Sequence, residues 1–330
     1  MTVRFAVLGA GRIGQVHARA IHADRDASLV AVADAVASAA DTLASEYGAQ
    51  VRDIDTIATS ADIDAVVICT PTDMHAKLIE QFAHAGKAVF CEKPIDLSVA
   101  RVRECLAVVE STNATLMVAF QRRFDPDFMA LKERVDAGVV GDVEMVVLTS
   151  RDPAPPPLDY IRRSGGLFRD MSIHDFDVAR WLIGEPIVSV QAAASVMVDP
   201  EIGKAGDVDT ANIILTTASG RQATINNSRR AGYGYDQRIE VFGSKGMVSA
   251  LNTHESRTVV ATAEGYIKPP LQDFFMNRYF QAYANEIAAF IQCVKSGSPA
   301  NPSGEDGLQA LVLADAALQS VAEKRVVDVD

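Results

Sequence analysis

Residues 3–14, Val-Arg-Phe-Ala-Val-Leu-Gly-Ala-Gly-Arg-Ile-Gly, join a short apolar run to a helical stretch through three glycines. That junction restricts the fold more than any other feature of the chain. Gly9 permits a tight turn out of a strand, Gly11 lets the backbone approach a ligand, and Gly14 lets helix and strand pack closely. The amides that open the helix, around Arg12 and Ile13, offer donors and partial positive charge to a pyrophosphate. Gly9, Ala10, Gly11, Arg12, Ile13 and Gly14 are therefore the expected dinucleotide grip. Asp34 ends the next apolar run, 20 positions after Gly14, where a carboxylate meets the adenosine ribose hydroxyls. A carboxylate there repels a 2′-phosphate, and Ala35 and Val36 bring no compensating charge. NAD is expected over NADP.

The pattern around this junction is regular. Apolar strand-like runs at 29–34, 51, 65–69, 88–91 and 115–119 alternate with helical stretches at 35–47, 75–85 and 98–111. Such alternation gives a parallel, doubly wound sheet. At 330 residues the chain exceeds the usual limit of one core. We expect a Rossmann domain over 1–121 and a second domain over 122–330. After 121 the pattern changes to a helix near 127–137, a strand at 144–150 and a proline-rich loop at 152–157. A helix near 168–182 follows, then strands near 187–198, 208–218, 221–229, 236–242 and 247–251, and closing helices at 283–296 and 307–324. Consecutive strands without intervening helices predict a large, open, mostly antiparallel sheet in an α+β domain.

Composition narrows the partners. A net charge of −12 and a pI near 5.0 argue against a nucleic-acid or anionic-membrane surface. No run of about 18 apolar residues is present, so no membrane span is expected. Cys69, Cys91, Cys105 and Cys293 lack metal-ligand spacing and read as reduced thiols. The amino terminus runs directly into a strand without signal-peptide anatomy, which leads us to expect a cytoplasmic protein.

Three segments carry chemistry. Cys69-Thr70-Pro71-Thr72 closes the strand at 65–69 at its carboxyl end, where ligands gather in open α/β sheets. Pro71 stops the strand, Thr72 is placed to cap the following helix, and Thr70 and Pro71 are cofactor-contact candidates. Glu92-Lys93-Pro94 follows the strand at 88–91 at the same sheet edge. There the Lys93 ammonium can donate to a substrate oxygen and favour alkoxide character as a hydride leaves. Asp170 and His174 are four positions apart on a helical stretch and share one face. Asp170 can then fix the tautomer of His174, a general base suited to neutral pH. Asp177, three residues beyond His174, stays open as a rival partner. No HxxxH or clustered acidic pattern accompanies the pair, so no metal is expected.

With these segments read in order, the chain resembles the glucose–fructose oxidoreductase, inositol dehydrogenase and rhizopine-catabolism family. The resemblance spans the whole length. It rests on the glycine fingerprint, on residues 67–73 and Glu92-Lys93-Pro94, and on Arg122-Arg123-Phe124-Asp125. Gly165-Gly166 with Asp170 and His174, and Arg278-Tyr279 with Ala282-Tyr283, complete it. Ser150-Arg151-Asp152-Pro153 and Tyr233-Gly234-Tyr235-Asp236 look like the inositol branch. Gln121 departs from the asparagine or apolar residue expected before Arg122. The resemblance implies that Lys93, Asp170 and His174 act together on a polyol hydroxyl. It further implies NAD as cofactor, with Glu92 and Lys93 near it, and a homotetramer built through the carboxyl-terminal sheets. The expected substrate is myo-inositol, oxidised to an inosose; another cyclic polyol or aldose is the alternative, and a non-catalytic dinucleotide-binding regulator a more distant one. A polyhydroxylated ring needs many hydrogen bonds. Lys93, Arg122, Asp152, Asp170, His174, Tyr233, Tyr235 and Tyr279 are the substrate-contact candidates.

Overall fold

In β1 (Val3–Leu8) every side chain except Arg4 is buried, the mark of a strand covered on both faces. The computed structural model, which describes residues Thr2–Val329, sets β1 in a six-stranded sheet. Its partners are β2 (Ala27–Ala33), β3 (Gln50–Val51), β4 (Ala65–Ile68), β5 (Ala88–Cys91) and β6 (Leu116–Val118). The order is β3-β2-β1-β4-β5-β6 and every pairing is parallel, as a Rossmann sheet requires. Helices α1 (Arg12–Ala23), α2 (Ala37–Tyr47), α3 (Ile54–Thr59), α4 (His75–His84) and α5 (Val99–Thr112) connect the strands.

Contacts divide the chain into two compact units. Unit 1 runs to Phe124 and resumes over Gln281–Leu311; unit 2 holds Asp125–Phe280 and the chain from Val312 onward. The resumed part of unit 1 is mainly the helix Phe280–Ser296, whose Ile287, Phe290 and Ile291 join the sheet core. The Phe290 ring sits 6.1 Å from Phe5 and 5.5 Å from Phe90.

Unit 2 opens with α6 (Pro126–Asp136) and β7 (Val143–Arg151), then α7 (Leu158–Ser164), α8 (Ile173–Ile183), β8 (Ile187–Ser195) and α9 (Pro200–Lys204). β9 (Thr210–Thr217), β10 (Gln222–Ser228), β11 (Asp236–Gly243), β12 (Gly246–Ala250) and the hairpin β13 (Val260–Thr262) with β14 (Gly265–Ile267) follow. With a last strand, β15 (Val327–Asp328), the seven-stranded sheet has the order β12-β11-β7-β10-β9-β8-β15. Only β7–β10 is parallel among these pairings. The strands alternate: in β9 Ala211, Ile213 and Leu215 are buried while Asn212 and Ile214 face out. One sheet face packs beneath α8, which buries Phe176, Val178, Ala179 and Leu182. The other face carries a row of Met247, Phe242 and Met145 in register across three strands.

Three local readings differ from expectation. The strand expected to reach 198 stops at Ser195, because the Asp209 carboxylate takes the amides of Met197, Val198 and Asp199 at 2.8, 2.9 and 3.1 Å and draws the chain out of the sheet. The helix expected over 168–182 begins with a π turn, Phe168–Ser172, before α8. Thr72 lies inside a 3₁₀ turn, Thr72–Met74, and makes no side-chain cap.

Candidate active site

Unit 1 presents its sequence-predicted residues at the carboxyl ends of β1, β2, β4 and β5. Gly9 has φ +101°, and a Cβ there would stand 2.5 Å from the Cys69 carbonyl oxygen. At Gly14 a Cβ would lie 1.9 Å from the Gly9 carbonyl oxygen, so any side chain would push the helix off the strand. A Cβ at Gly11 meets nothing within 4 Å, which leaves open space above the loop. Gly11 is the N-cap of α1 and supplies no side-chain cap. The first-turn amides of such a helix, those of Arg12, Ile13 and Gly14, have no acceptor within it. Asp34 braces this loop, accepting from the Ala10 amide at 2.6 Å with Oδ2 and from the Val36 amide at 2.7 Å with Oδ1.

The Thr70 hydroxyl is a buried polar atom without a hydrogen-bond partner, beside the exposed Pro71. Its carbonyl oxygen and that of Pro94 lie 2.8 and 2.7 Å from the two ring nitrogens of His75. That imidazole ties the β4 end to the Glu92-Lys93-Pro94 turn, in which the Lys93–Pro94 bond is cis. Glu92 turns to His17, Oε1 lying 2.8 Å from Nε2. The His17 ring in turn stands edge-on to Phe90 and Tyr283. Glu286, one helical turn beyond Tyr283, is fully buried with neither carboxyl oxygen hydrogen-bonded. Burial, and secondarily the charge of Glu92, hold its carboxyl well above the ordinary range. Burial likewise pushes up the Cys69 and Cys91 thiols, which makes both poor nucleophiles. Arg122 lies in a 3₁₀ turn, Gln121–Phe124, and is buried.

Unit 2 builds a second cluster. Asp170 sits on the π turn, a feature frequent at functional sites. Its Oδ1 accepts from the Tyr160 hydroxyl at 2.9 Å, and its Oδ2 faces the Arg229 guanidinium. His174 lies half-buried in the first turn of α8. The next residue bolts that turn to the sheet: Asp175 accepts from Ser150 Oγ at 2.5 Å and from Asn227 Nδ2 at 2.9 Å. Ser172 Oγ donates to Asn227 Oδ1 at 2.6 Å. Asp152 is half-buried at the end of β7, its amide donating to Ser228 O at 2.9 Å. Tyr233 is exposed, with its hydroxyl between Arg151 Nη1 at 3.0 Å and Asp236 Oδ2 at 2.5 Å. Tyr235 packs its ring 6.0 Å from Tyr279.

Tyr279, another substrate-contact candidate, is wholly buried, and its hydroxyl donates to Gln237 Oε1 at 3.1 Å. His17, His75, Arg229 and Glu286 were missed by sequence reasoning. His17, His75 and Arg229 owe their places to contacts outside their own motifs and Glu286 is marked by burial alone, so isolated residues of these types carry no local signal.

The unit 1 residues fit a dinucleotide. An uncapped helix start, a glycine with open space above it, an acidic strand end and an orphaned threonine hydroxyl provide donors and acceptors where ligands of open α/β sheets bind. Among the described residues no helix is long and apolar enough to cross a membrane.

Comparison with known proteins agrees with this geometry. Residues 3–120 match the model of an oxidoreductase family with an NAD-binding Rossmann fold, and residues 128–249 match the GFO/IDH/MocA C-terminal domain. An inositol 2-dehydrogenase of Rhizobium meliloti (strain 1021) is 63% identical over 329 residues, covering 100% of both chains. A myo-inositol 2-dehydrogenase of Thermotoga maritima is 46% identical over 330 residues, covering 99% of each. Among solved structures, scyllo-inositol dehydrogenase of Lactobacillus casei with bound NAD(H) and scyllo-inositol superposes with a TM-score of 0.92 at 32% identity, covering 99% of each chain.

Proposed function

The chain belongs to the GFO/IDH/MocA oxidoreductase family, with an NAD-binding Rossmann unit, and we propose that it oxidises myo-inositol at one ring hydroxyl to the inosose (2-keto-myo-inositol). The observation that carries this reading is the 63% identity, over the full length of both chains, to an inositol 2-dehydrogenase. The presence of Lys93, Asp170 and His174 supports it chemically.

The bound nicotinamide would supply the hydride-accepting carbon. Gly9 to Gly14, with Thr70, Pro71, Glu92 and Lys93, would hold the dinucleotide, and Asp34 its adenosine ribose. His174 takes the proton of the reacting hydroxyl. Asp170 orients the ring and stabilises the imidazolium that forms. Lys93 donates to the substrate oxygen and stabilises alkoxide character as the C–H bond breaks. Loss of the proton to His174, with a hydride that the bound nicotinamide would accept, would leave the carbinol as a ketone. Arg122, Asp152, Tyr233, Tyr235 and Tyr279 are the proposed partners of the remaining ring hydroxyls.

A panel of inositols, glucose and related aldoses, read by NADH absorbance, tests the substrate. Myo-inositol is expected to give the highest kcat/KM. A preference for scyllo-inositol, the ligand of the L. casei structure, would move the reading to that isomer. Failure of every polyol, with NAD binding intact, would favour a non-catalytic regulator. His174→Ala and Lys93→Ala are each expected to lower kcat by about 10²–10⁴-fold, with NAD affinity within a small factor in His174→Ala. Near-normal turnover in either variant removes that residue from the mechanism.

The open sheet face of unit 2 supports a homotetramer assembled through these sheets. Four free cysteines, Cys69, Cys91, Cys105 and Cys293, suit a reducing, cytoplasmic setting.

A further inference from the structure

Behind Asp170 stands an arginine that no catalytic role has yet absorbed. Arg229 follows the last residue of β10 and is only 1% exposed. Its amide donates to Asp209 O at 2.8 Å, which fixes the base of the side chain. Its Nη1 and Nη2 lie 3.5 and 3.4 Å from a single oxygen, Asp170 Oδ2. The other oxygen, Oδ1, takes the hydroxyl of Tyr160, a residue 46% exposed. Both ends of the carboxylate are therefore held, and its rotation about the Cβ–Cγ bond is set.

The same guanidinium touches a second acid. Nη2 is 3.9 Å from Asp207 Oδ2, an oxygen buried without a hydrogen-bond partner. Asp207 Oδ1 accepts from the Leu167 amide at 3.0 Å, at the turn that leads into the π segment. Gly166 in that turn has φ +81°, and a Cβ there would stand 2.6 Å from Asp207 Oδ1. One buried cation thus joins the base of the π turn to the carboxylate the turn carries. Removing a cation from between two partly buried carboxylates leaves their repulsion uncompensated.

We infer that Arg229 is a positioning residue for the oxidation: it fixes the orientation of the Asp170 carboxylate so that Asp170 can align and stabilise His174. This rests on the reading of Asp170 and His174 as the general-base pair. Arg229 itself touches no reacting atom. Its effect passes entirely through Asp170.

A double-mutant cycle on the full-length enzyme with NAD tests it. Arg229→Gln is expected to lower kcat by about ten- to a hundredfold, with the KM values for polyol and NAD within about threefold. Asp170→Asn is expected to lower kcat more. Adding Arg229→Gln to Asp170→Asn should cost no further turnover, because the residue through which Arg229 acts has already lost its charge. Losses that multiply, or a normal kcat in Arg229→Gln, overturn the inference and leave the arginine a packing element. If Arg229→Gln does not fold, the cycle is run with Arg229→Lys, which keeps the charge but not the fork. That variant should lose about three- to tenfold in kcat, and again nothing further beside Asp170→Asn. Wild-type turnover in both Asp170→Asn and His174→Ala would instead refute the base assignment, and the inference falls with it.

Discussion

Glu286 is a carboxyl group placed where ionisation is costly. It is fully buried, neither oxygen has a partner, and burial together with Glu92 raises its pKa. As pH rises through the usual glutamate range the unfolded chain releases this proton while the folded chain keeps it. The unfolded state then binds fewer protons, so stability falls with rising pH, by about 1.4 kcal/mol per unit until the folded carboxyl ionises. Glu286→Gln removes the titration. Measured by urea unfolding, the stability of the variant relative to the wild type should rise with pH above the usual glutamate range, with a slope of up to about 1.4 kcal/mol per pH unit. A difference between the two proteins that does not change with pH would show that Glu286 is not held protonated. The contrast with Asp34 is instructive about legibility. Asp34 is readable because it sits a fixed distance from a glycine fingerprint, within one βαβ unit. Glu286 belongs to a site whose other members, His17 and Glu92, are paired across 75 positions, and no pattern in its own helix marks it.

At the scale of elements, the motifs quoted for the family turn out to be halves of contacts. Arg122-Arg123-Phe124-Asp125 and Arg278-Tyr279 are separate in sequence, yet both Nη atoms of Arg278 bind the Asp125 carboxylate across 153 positions. Asp125 also caps α6, accepting from the Asp127 and Phe128 amides at 3.2 Å, and the guanidinium lies 5.4 Å from the Phe128 ring. One buried ion pair therefore fixes the start of a helix and the end of a distant segment. Arg278→Met leaves Asp125 buried without its cation and should cost about 3–5 kcal/mol in chemical unfolding. Adding Asp125→Asn, which keeps a capping oxygen, should restore part of that loss. A double variant no more stable than Arg278→Met would show that the charge is not what the arginine answers. The π turn at Phe168–Ser172 was similarly hidden. Five residues are too few for apolar spacing to tell an α turn from a π turn, and the contacts that surround this one, from Asp207 to the Leu167 amide and from Arg229 to Asp170, are remote in sequence.

At the scale of the whole molecule, the six-stranded sheet was legible throughout, since a buried parallel strand writes itself as a short apolar run between helices. The return of Gln281–Leu311 to unit 1 was not, because an amphipathic helix carries no statement of which sheet it will cover. The outer face of the unit 2 sheet is legible from alternation alone and raises the question of what meets it. Met145, Phe242 and Met247 form one cross-strand row, 41%, 44% and 51% exposed. Contiguous apolar rows of this kind mark association surfaces. If copies of the chain pair through these faces, each Phe242 loses about 2–3 kcal/mol of apolar burial when replaced, and a carboxylate in its place adds a desolvation cost. Phe242→Glu should therefore sediment as a smaller species than the wild type at micromolar concentration, with NAD binding unchanged because the nucleotide loop lies in unit 1. A wild-type protein that already sediments as a monomer, or a variant that stays in the wild-type assembly, would remove this face from the interface.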